Sequence, residues 1–321
     1  MMILIFSNSA DRSTHHVLNW LSHYGADYAV VYGDLGQEST AHIQRRHSLY
    51  QREIITPTAI GVTWYRRNAL SYAGRQSYGA LTPAEQTMVE THLREEFAVI
   101  QEYLYSQFDE VPALNTFRRR EPNKLTVLSR ASDLGLKVPD SLVCTQKQEL
   151  IRFAAQYETI ISKPLSGPVR PGGNTNYLLY TERITKEMIA ALPEQFFPSF
   201  FQQQIPKQFE VRAFYLDGAW HCLAMFTQAQ ERTSVDSRKY VAHRPTRMVP
   251  FRLPERSKNQ AAALMTDLGL NCGSLDFIVS PDNELYFLEV NPVGQFGQLS
   301  VTGNFRLEKK IAKWLIDHDR A

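Results

Sequence analysis

SLDFIVSPDNELYFLEVNPVGQFG, residues 274–297, places two acids and an amide between apolar residues. Asp276 lies in one strand-like run, and Glu289 and Asn291 lie in the next. The residues between the runs, 280–284, have the Ser, Pro, Asp and Asn composition of a tight turn. The stretch therefore predicts a β-hairpin that carries all three polar side chains.

The position of the turn predicts which residues of the hairpin face one another. A turn centred between residues 282 and 283 pairs Asp276 with Glu289 and Ile278 with Phe287. Because side chains alternate along a strand, one face is apolar; its residues are Leu275, Phe277, Val279, Tyr286, Leu288 and Val290. The opposite face carries the acids and is only partly polar, because Ile278 and Phe287 share it.

Two carboxylates directly opposite each other repel, and a cation between Asp276 and Glu289 would reverse that effect. Asn291 lies two residues beyond Glu289 and therefore on the same face. Carboxylate and amide oxygens suit Mg²⁺, which usually takes its other ligands from water and substrate phosphates. The three residues are a candidate Mg²⁺ site for a nucleotide. The alternative is a solvent-facing edge hairpin whose acids are incidental.

Length, charge and cysteine content narrow the class of protein. The 321 residues are enough for about two to three domains. The net charge of +2 does not call for nucleic-acid binding. No window approaches the roughly 18 apolar residues of a membrane span, and the N-terminus lacks a signal-peptide core, so no membrane association is expected. Three widely spaced cysteines, Cys144, Cys222 and Cys272, fit a reducing cytoplasm.

The beginning of the chain has the pattern of a parallel βαβ unit. Strand patterns at Met2–Ser7 and Tyr28–Tyr32 flank a helix from Asp11 to about Tyr24. Another strand is expected at residues 61–66. These elements predict an α/β domain with a parallel sheet.

A second part of the chain begins after a long helix. Thr82-Pro83-Ala84-Glu85 has the residues of a capping box with proline at the first helical position, and the helix reaches about Gln107. Residues 111–120 are expected to be irregular and to mark a boundary. The predicted domains are residues 1–117, 118–202 and 203–321.

Further charged residues are candidates for binding phosphate or another anion. Lys163 ends an apolar strand and precedes a glycine-rich segment, residues 166–176, so it is a candidate phosphate ligand; the alternative is a surface lysine. Glu210 and Arg212 share one face of an alternating strand, which also fits a surface ion pair. The segment lacks the GxxxxGK[ST] and GxGxxG patterns, and the chain lacks a GxSxG nucleophile motif.

Taken in order, these segments resemble the ATP-grasp superfamily. The resemblance is closer still to the ATP-grasp peptide maturases that make microviridins and other graspetides, in particular the grasp-with-spasm maturases. It covers nearly all of the chain. The segments that carry it are GVTWYRR, EPNKLTVLSRASDLGLKVPDSLVCT, ISKPLSG, FQQQIPKQFEVRAF, SVDSRKY and the hairpin stretch quoted above.

The resemblance implies a mixed α/β and α+β architecture, the ATP-grasp fold. It consists of an N-terminal pre-ATP-grasp α/β domain, a central domain and a C-terminal ATP-grasp domain. ATP and Mg²⁺ are the implied cofactors. The implied ATP-binding residues are Lys124 and Lys163 for phosphates, Gln203 and Gln204 for adenine, Glu210 for ribose, and Lys239. The implied metal ligands are Asp276, Glu289 and Asn291, and the implied catalytic residues are Arg212 and Arg238.

The resemblance also implies an activity and a partner. ATP would activate Asp or Glu side chains of a ribosomally made precursor peptide, with a leader and a core, as acyl phosphates. Hydroxyls or amines of the same peptide would then close ester or amide cross-links. A homodimer is suggested by the resemblance alone. Two alternatives stay open, namely a ligase that adds a free amino acid and a non-catalytic nucleotide-binding regulator.

Overall fold

The structure is a computed structural model, and it describes residues 1–32, 41–44, 47–50, 53–55, 57–67, 79, 81–119, 122–166, 181–227 and 246–319. For residues 41–44, 47–50, 53–55 and 57, only the backbone is described. The glycine-rich segment from residue 167 onward, and Arg238 and Lys239, lie outside these residues.

The described residues form both strands and α-helices. The strands are β1 (Met2–Ser7), β2 (Tyr28–Tyr32), β3 (Ala41–Gln44), β4 (His47–Tyr50), β5 (Glu53–Ile55), β6 (Ile60–Tyr65), β7 (Ala113–Leu114), β8 (Ser141–Gln146), β9 (Ile160–Ser162), β10 (Glu182–Ile184), β11 (Gln195–Gln203), β12 (Phe209–Leu216), β13 (Ala219–Phe226), β14 (Arg247–Phe251), β15 (Cys272–Val279) and β16 (Leu285–Asn291). The helices are α1 (Arg12–His23), α2 (Pro83–Ser106), α3 (Lys124–Asp133), α4 (Lys147–Ala154), α5 (Lys186–Ala191), α6 (Glu255–Asp267), α7 (Gly297–Thr302) and α8 (Leu307–His318).

The chain forms two compact units. The first unit consists of Met1–Glu121, Gly269–Cys272 and Pro292–Ala321. The second unit consists of Pro122–Leu268 and Gly273–Asn291. The finer division at residues 117/118 and 202/203 stays a prediction.

The first unit contains the predicted parallel βαβ unit. Its four-stranded sheet has the order β2-β1-β6-β7, and all three pairings are parallel. Helix α1 packs against α8, and the strands bury a core of apolar and aromatic side chains that includes Leu4, Phe6, Val31 and Tyr105. The prediction that residues 111–120 are irregular is wrong at β7, because Ala113 and Leu114 pair with β6. A two-residue strand is too short to have a readable period.

Helix α2 begins as the sequence predicts. The side chain of Thr82 accepts a hydrogen bond from the backbone of Glu85, and the Glu85 carboxylate accepts one from the backbone of Thr82, so the capping box is complete. Pro83 occupies the start of the helix, where a missing N–H leaves no intrahelical bond unmade. The helix ends at Ser106, one residue before the predicted limit.

A buried ion pair fixes the carboxyl ends of β1 and β6. Arg66 Nε donates to Asp11 Oδ2 at 2.9 Å, and the two side chains are 3% and 1% exposed. Thr14 and Gln295 donate to the same carboxylate, and Arg66 also donates to the carbonyl of Gly294 at 3.0 Å. Burial by itself raises the pKa of Asp11, but the Arg66 charge and these hydrogen bonds outweigh burial and hold the pKa below its usual value.

The second unit contains two sheets. A four-stranded antiparallel sheet has the order β10-β9-β11-β8, and buried side chains of β8, β9 and β11 form a cluster with α4 and α5. A five-stranded sheet has the order β14-β13-β12-β15-β16. The predicted strand Phe209–Leu216 is confirmed, with Val211 and Ala213 fully buried on one face. This alternation turns Glu210 and Arg212 to the other face.

Within the part of the chain that the structure describes, none of the helices has the length and apolar character needed to cross a membrane.

We expect Asp11→Asn to lower the free energy of unfolding by about 3 kcal/mol at neutral pH, because it leaves the buried Arg66 charge without its counter-ion. The lowered pKa of Asp11 contributes stability that is present at neutral pH and is lost as the pH falls through that pKa. The variant should therefore lose less stability than the wild type on acidification. Urea unfolding followed by Trp fluorescence measures both effects.

Asp109→Asn is the matched control for this prediction. Asp109 lies 3.5 Å from Arg118, and both side chains are about half exposed, so the change should cost roughly 0.5 kcal/mol or less. Equal losses in the two variants would show that burial of the Asp11 pair does not matter.

Candidate functional site

The predicted hairpin exists, and Asp276 faces Glu289 across β15 and β16. The other predicted pair is wrong: Ile278 faces Tyr286, and Phe277 faces Phe287. The register shifts by one residue between Asp276 and Phe277. This shift is a β-bulge, which leaves one residue of the longer strand without a partner.

The turn and the bulge each shift the pairing of the two strands by one residue from the predicted register, and the two shifts cancel at Asp276. Backbone bonds join Ser280 and Glu284, so the turn is centred on Asp282, half a residue earlier than predicted. That register, continued along the strands, would pair Asp276 with Leu288. The bulge adds one residue to β16 and restores the pairing of Asp276 with Glu289.

The bulge also changes which side chains share the acidic face. Because alternation is offset by one residue at the bulge, Phe287 lies on the buried face, where its ring packs edge-on to Phe277 at 5.6 Å. Phe287 is fully buried, and its N–H donates to the carbonyl of Lys137 at 2.8 Å. The acidic face is therefore more polar than the sequence predicted.

Arg212 binds Asp276 in a two-pronged geometry. Its Nε and Nη2 donate to Oδ1 and Oδ2, each at 2.8 Å. The side chains of Arg212 and Asp276 are 32% and 21% exposed. The Asp276 charge and these hydrogen bonds hold the pKa of Arg212 well above its usual value, so the guanidinium keeps its charge.

Two lysines add positive charge near Glu289. Lys124, the first residue of α3, lies 3.9 Å from the Glu289 carboxylate and donates to the carbonyl of Pro164 at 3.1 Å. Lys163 follows β9, and its ammonium lies 5.7 Å from the centre of the Phe200 ring. Burial lowers the pKa of Lys163, and the positive charge of Lys124 lowers it further. The negative charges of Glu289 and Asp276 raise this pKa but do not outweigh burial. The structure thus brings together Lys124, Lys163, Arg212, Asp276 and Glu289.

Asn291, Gln203 and Gln204 lie at or directly after the ends of strands. Asn291 faces Ser274 at the end of β16 and is exposed. The backbone N–H groups of Gln203 and Gln204 donate to the carbonyls of Asp140 and Thr159 at 2.8 and 3.0 Å. Any backbone contact of these two residues with adenine must therefore use their carbonyl oxygens.

Glu210 has partners that the sequence did not indicate. Lys207 donates to its carboxylate, as does Thr227 at 3.1 Å. The side chains of Lys207 and Glu210 are 7% and 14% exposed, so this pair is well shielded from water. Lys207 precedes β12 and Thr227 follows β13, so strand alternation gives no signal for either contact.

The donor set of the hairpin fits a magnesium ion that is shared with a nucleotide. Across the described stretches of the chain, no three His, Cys, Asp or Glu side chains come together as a metal cluster. The hairpin offers two carboxylates and one amide, which are hard oxygen donors. Mg²⁺ requires six oxygens and commonly takes several of them from phosphates and water.

Comparisons with known proteins establish the fold. The chain is similar to the macrocyclase MdnC of Microcystis aeruginosa MRC bound with precursor peptide MdnA (TM-score 0.80, 24% identity, covering 99% of this chain and 100% of that one). It is similar to a RiPP-associated ATP-grasp ligase of Chryseobacterium gregarium in complex with ADP and a leader and core peptide (TM-score 0.81, 22% identity, covering 99% of this chain and 98% of that one). It is also similar to the ATP-grasp ligase PsnB complexed with minimal precursor, Mg and ADP (TM-score 0.76, 17% identity, covering 99% of this chain and 97% of that one).

The chain therefore has the ATP-grasp fold, as its sequence motifs predicted. No protein-family model matches it, and no curated protein matches it.

We expect two substitutions to move the pKa of Lys163 in opposite directions. Glu289→Gln removes a neighbouring negative charge and should lower that pKa further, whereas Lys124→Met removes a neighbouring positive charge and should raise it. NMR titration of ¹³C-methylated lysines in the ligand-free protein measures the pKa directly. Glu284→Gln is the control, because Glu284 pairs with Lys137 elsewhere on the hairpin. Shifts of the same sign in the first two variants would contradict the described geometry.

Proposed function

We propose that this protein is an ADP-forming, ATP-dependent ligase that closes ester or amide cross-links within a ribosomally made precursor peptide. The observation that carries the proposal is the pairing of Asp276 and Glu289 beside Arg212, Lys124 and Lys163 in a chain with the ATP-grasp fold. Carboxylates that hold a metal and cations that hold phosphates are what phosphoryl transfer requires. The peptide substrate is supported by the precursor, leader and core peptides bound in the similar structures.

ATP is proposed to bind along the acidic face with its phosphates at the hairpin. Lys124 and Lys163 would bind phosphate oxygens, since both ammonium groups already lie near Glu289. Gln203 and Gln204 would receive adenine, Glu210 would bind ribose, and Lys239 would add a further contact. Mg²⁺, held by Asp276, Glu289 and Asn291, would neutralise charge on the phosphates.

Arg212 and Arg238 are proposed to be the catalytic residues. The two bonds to Asp276 use two of the five guanidinium N–H groups of Arg212, so three remain for the transferred phosphoryl group. Those bonds fix the guanidinium plane before substrate arrives, which lowers the cost of reorganisation in the transition state. Arg238 lies outside the described residues, and its role is proposed from the sequence alone.

The reaction is proposed to proceed in two steps. An Asp or Glu carboxylate of the peptide attacks the γ-phosphorus of ATP, which gives an acyl phosphate and ADP. A Ser or Thr hydroxyl, or a Lys amine, then attacks the acyl carbon, loses its proton and expels phosphate. Each cross-link removes one water from the peptide. The chain supplies positioning and positive charge, and no covalent enzyme intermediate is needed.

The domain arrangement and setting are part of the proposal. The N-terminal domain of residues 1–117 would precede the two ATP-grasp subdomains, residues 118–202 and 203–321. Cys144, Cys222 and Cys272 are buried free thiols, which supports the cytoplasm as the place where the protein acts. A homodimer is a further proposal from the resemblance.

A short reading frame rich in Thr, Ser or Lys and in Asp or Glu is to be sought beside this gene. We expect its peptide product to lose the mass of one water per cross-link when it is mixed with the enzyme and Mg-ATP. Asp276→Asn and Glu289→Gln should each abolish the loss, because each removes a negative charge from the proposed metal site. Mass spectrometry of the peptide and assay of released ADP measure the reaction.

Asp282→Asn is the matched control, because it removes an exposed carboxylate at the turn of the same hairpin. A gain in mass by one amino-acid residue would instead support a ligase that adds a free amino acid. If ADP is released at the same rate with and without the peptide, and the peptide mass does not change, the result would contradict cross-linking. Full cross-linking by both site variants would refute the metal assignment.

A further inference from the structure

Asn115 has an unusual backbone and a buried side chain. It follows β7 in the first unit, its φ is +56°, and it is 4% exposed. Residues other than glycine and asparagine rarely adopt this left-handed conformation because the Cβ atom crowds the following carbonyl. The conformation turns the side chain toward the residues at the base of the hairpin.

The amide of Asn115 uses its full hydrogen-bonding capacity. Its Nδ2 donates to the carbonyls of Cys272 at 2.8 Å and Pro292 at 3.2 Å. Its Oδ1 accepts from the backbone N–H groups of Cys272 at 3.2 Å and Asn271 at 3.3 Å. An asparagine amide offers two N–H donors and two acceptor lone pairs, so all four are occupied.

A reciprocal contact holds Asn115 to the sheet of the first unit. The backbone N–H of Asn115 donates to Asn271 Oδ1 at 2.9 Å, and Asn271 Nδ2 donates to the carbonyl of Ala113 at 2.7 Å. Ala113 and Leu114 pair with β6. Within the first unit, Asn271 is therefore bound to the strand and the residue that follows it.

The two residues that Asn115 joins delimit the metal-binding hairpin. Cys272 is the first residue of β15, and Pro292 directly follows Asn291, the last residue of β16. Proline has no N–H, so its carbonyl is the one backbone group through which a hydrogen bond can hold it. The Asn115 amide reaches that carbonyl and the carbonyl of Cys272 together.

The contact of Asn115 with Cys272 and Pro292 matters because the pairing register changes within the hairpin. The turn sets a register that would pair Asp276 with Leu288, and the bulge changes it before the proposed ligands are reached. The pairs Asp276–Glu289 and Ser274–Asn291 lie between the bulge and the base of the hairpin. At that base the Asn115 side chain joins Cys272 to Pro292.

We propose that Asn115 is a positioning residue for the metal site, because it holds the ends of β15 and β16 at the separation that sets Asp276 against Glu289. This inference rests on the proposed function, since it takes the hairpin as the metal-binding element. The side-chain hydrogen bonds of Asn115 go to Asn271, Cys272 and Pro292, so Asn115 acts through the backbone at the base of the hairpin.

Two substitutions separate the amide from the backbone conformation. Asn115→Gly keeps the left-handed backbone without strain but removes all four side-chain bonds. Asn115→Asp keeps the shape but replaces both N–H donors with an oxygen that faces two carbonyl oxygens. Asn283→Gly is the matched control, because Asn283 also has a positive φ, +61°, and lies at the turn of the same hairpin.

The measurement is Mn²⁺ binding to the enzyme–ADP complex by electron paramagnetic resonance, with ADP affinity measured separately without metal. Loss of a residue that orients metal ligands typically weakens metal affinity by about tenfold or more. We expect both Asn115 variants to weaken Mn²⁺ binding by about tenfold and to leave metal-free ADP binding unchanged. Asn283→Gly should change neither.

The outcomes distinguish this inference from the proposed function. A lower melting temperature with unchanged Mn²⁺ affinity in the Asn115 variants would overturn the positioning role. If Glu289→Gln weakens Mn²⁺ binding and the Asn115 variants do not, the positioning role alone is wrong. If Glu289→Gln has no effect either, the metal site and the positioning role fail together.

A second variant keeps the test valid if both Asn115 variants fail to fold. Asn271→Ala leaves the Asn115 side chain in place and removes the two bonds of the Asn271 side chain, one from the backbone N–H of Asn115 and one to the carbonyl of Ala113. We expect a smaller loss of Mn²⁺ affinity, accompanied by faster hydrogen exchange of the Cys272 amide. Wild-type values of both quantities would overturn the positioning role.

Discussion

The opposition of Asp276 and Glu289 across two paired strands is the constraint on which the rest of the site depends. Two carboxylates in this position repel, so positive charge must come close to both. The fold supplies it from three elements of the second unit: Arg212 on β12, Lys124 at the start of α3, and Lys163 after β9. In the proposed function, the same three cations receive phosphate oxygens, and a metal takes over part of the neutralisation.

Strong local patterns predicted most of the fold. The alternation of Phe209–Leu216, the capping box at Thr82 and the βαβ start were all readable, because each depends on residues close together in sequence. The pairing of Asp276 with Glu289 was also predicted, although for a regular hairpin with a later turn. A bulge and an earlier turn compensated each other, so the correct pair came from an incorrect register.

Contacts between residues distant in sequence could not be predicted in this way. The partner of Asp276 is Arg212, 64 residues away, and Asn115 reaches residues 157 and 177 positions further along the chain. Neither contact leaves a period or a spacing in the sequence. The bulge that moves Phe287 to the buried face is likewise set by packing against Phe277 and by the bond to Lys137. Such features follow from tertiary structure, and they determine the geometry of the acidic face.

The central claim is that the acidic face of the hairpin holds the metal and the phosphates of ATP. A crystal structure of the enzyme with ADP and Mg²⁺ tests it most directly. We expect carboxylate oxygens of Asp276 and Glu289 at about 2.1 Å from the metal, with Lys124 and Lys163 on phosphate oxygens. A nucleotide bound with its phosphates away from the hairpin, and with no metal on either carboxylate, would contradict it.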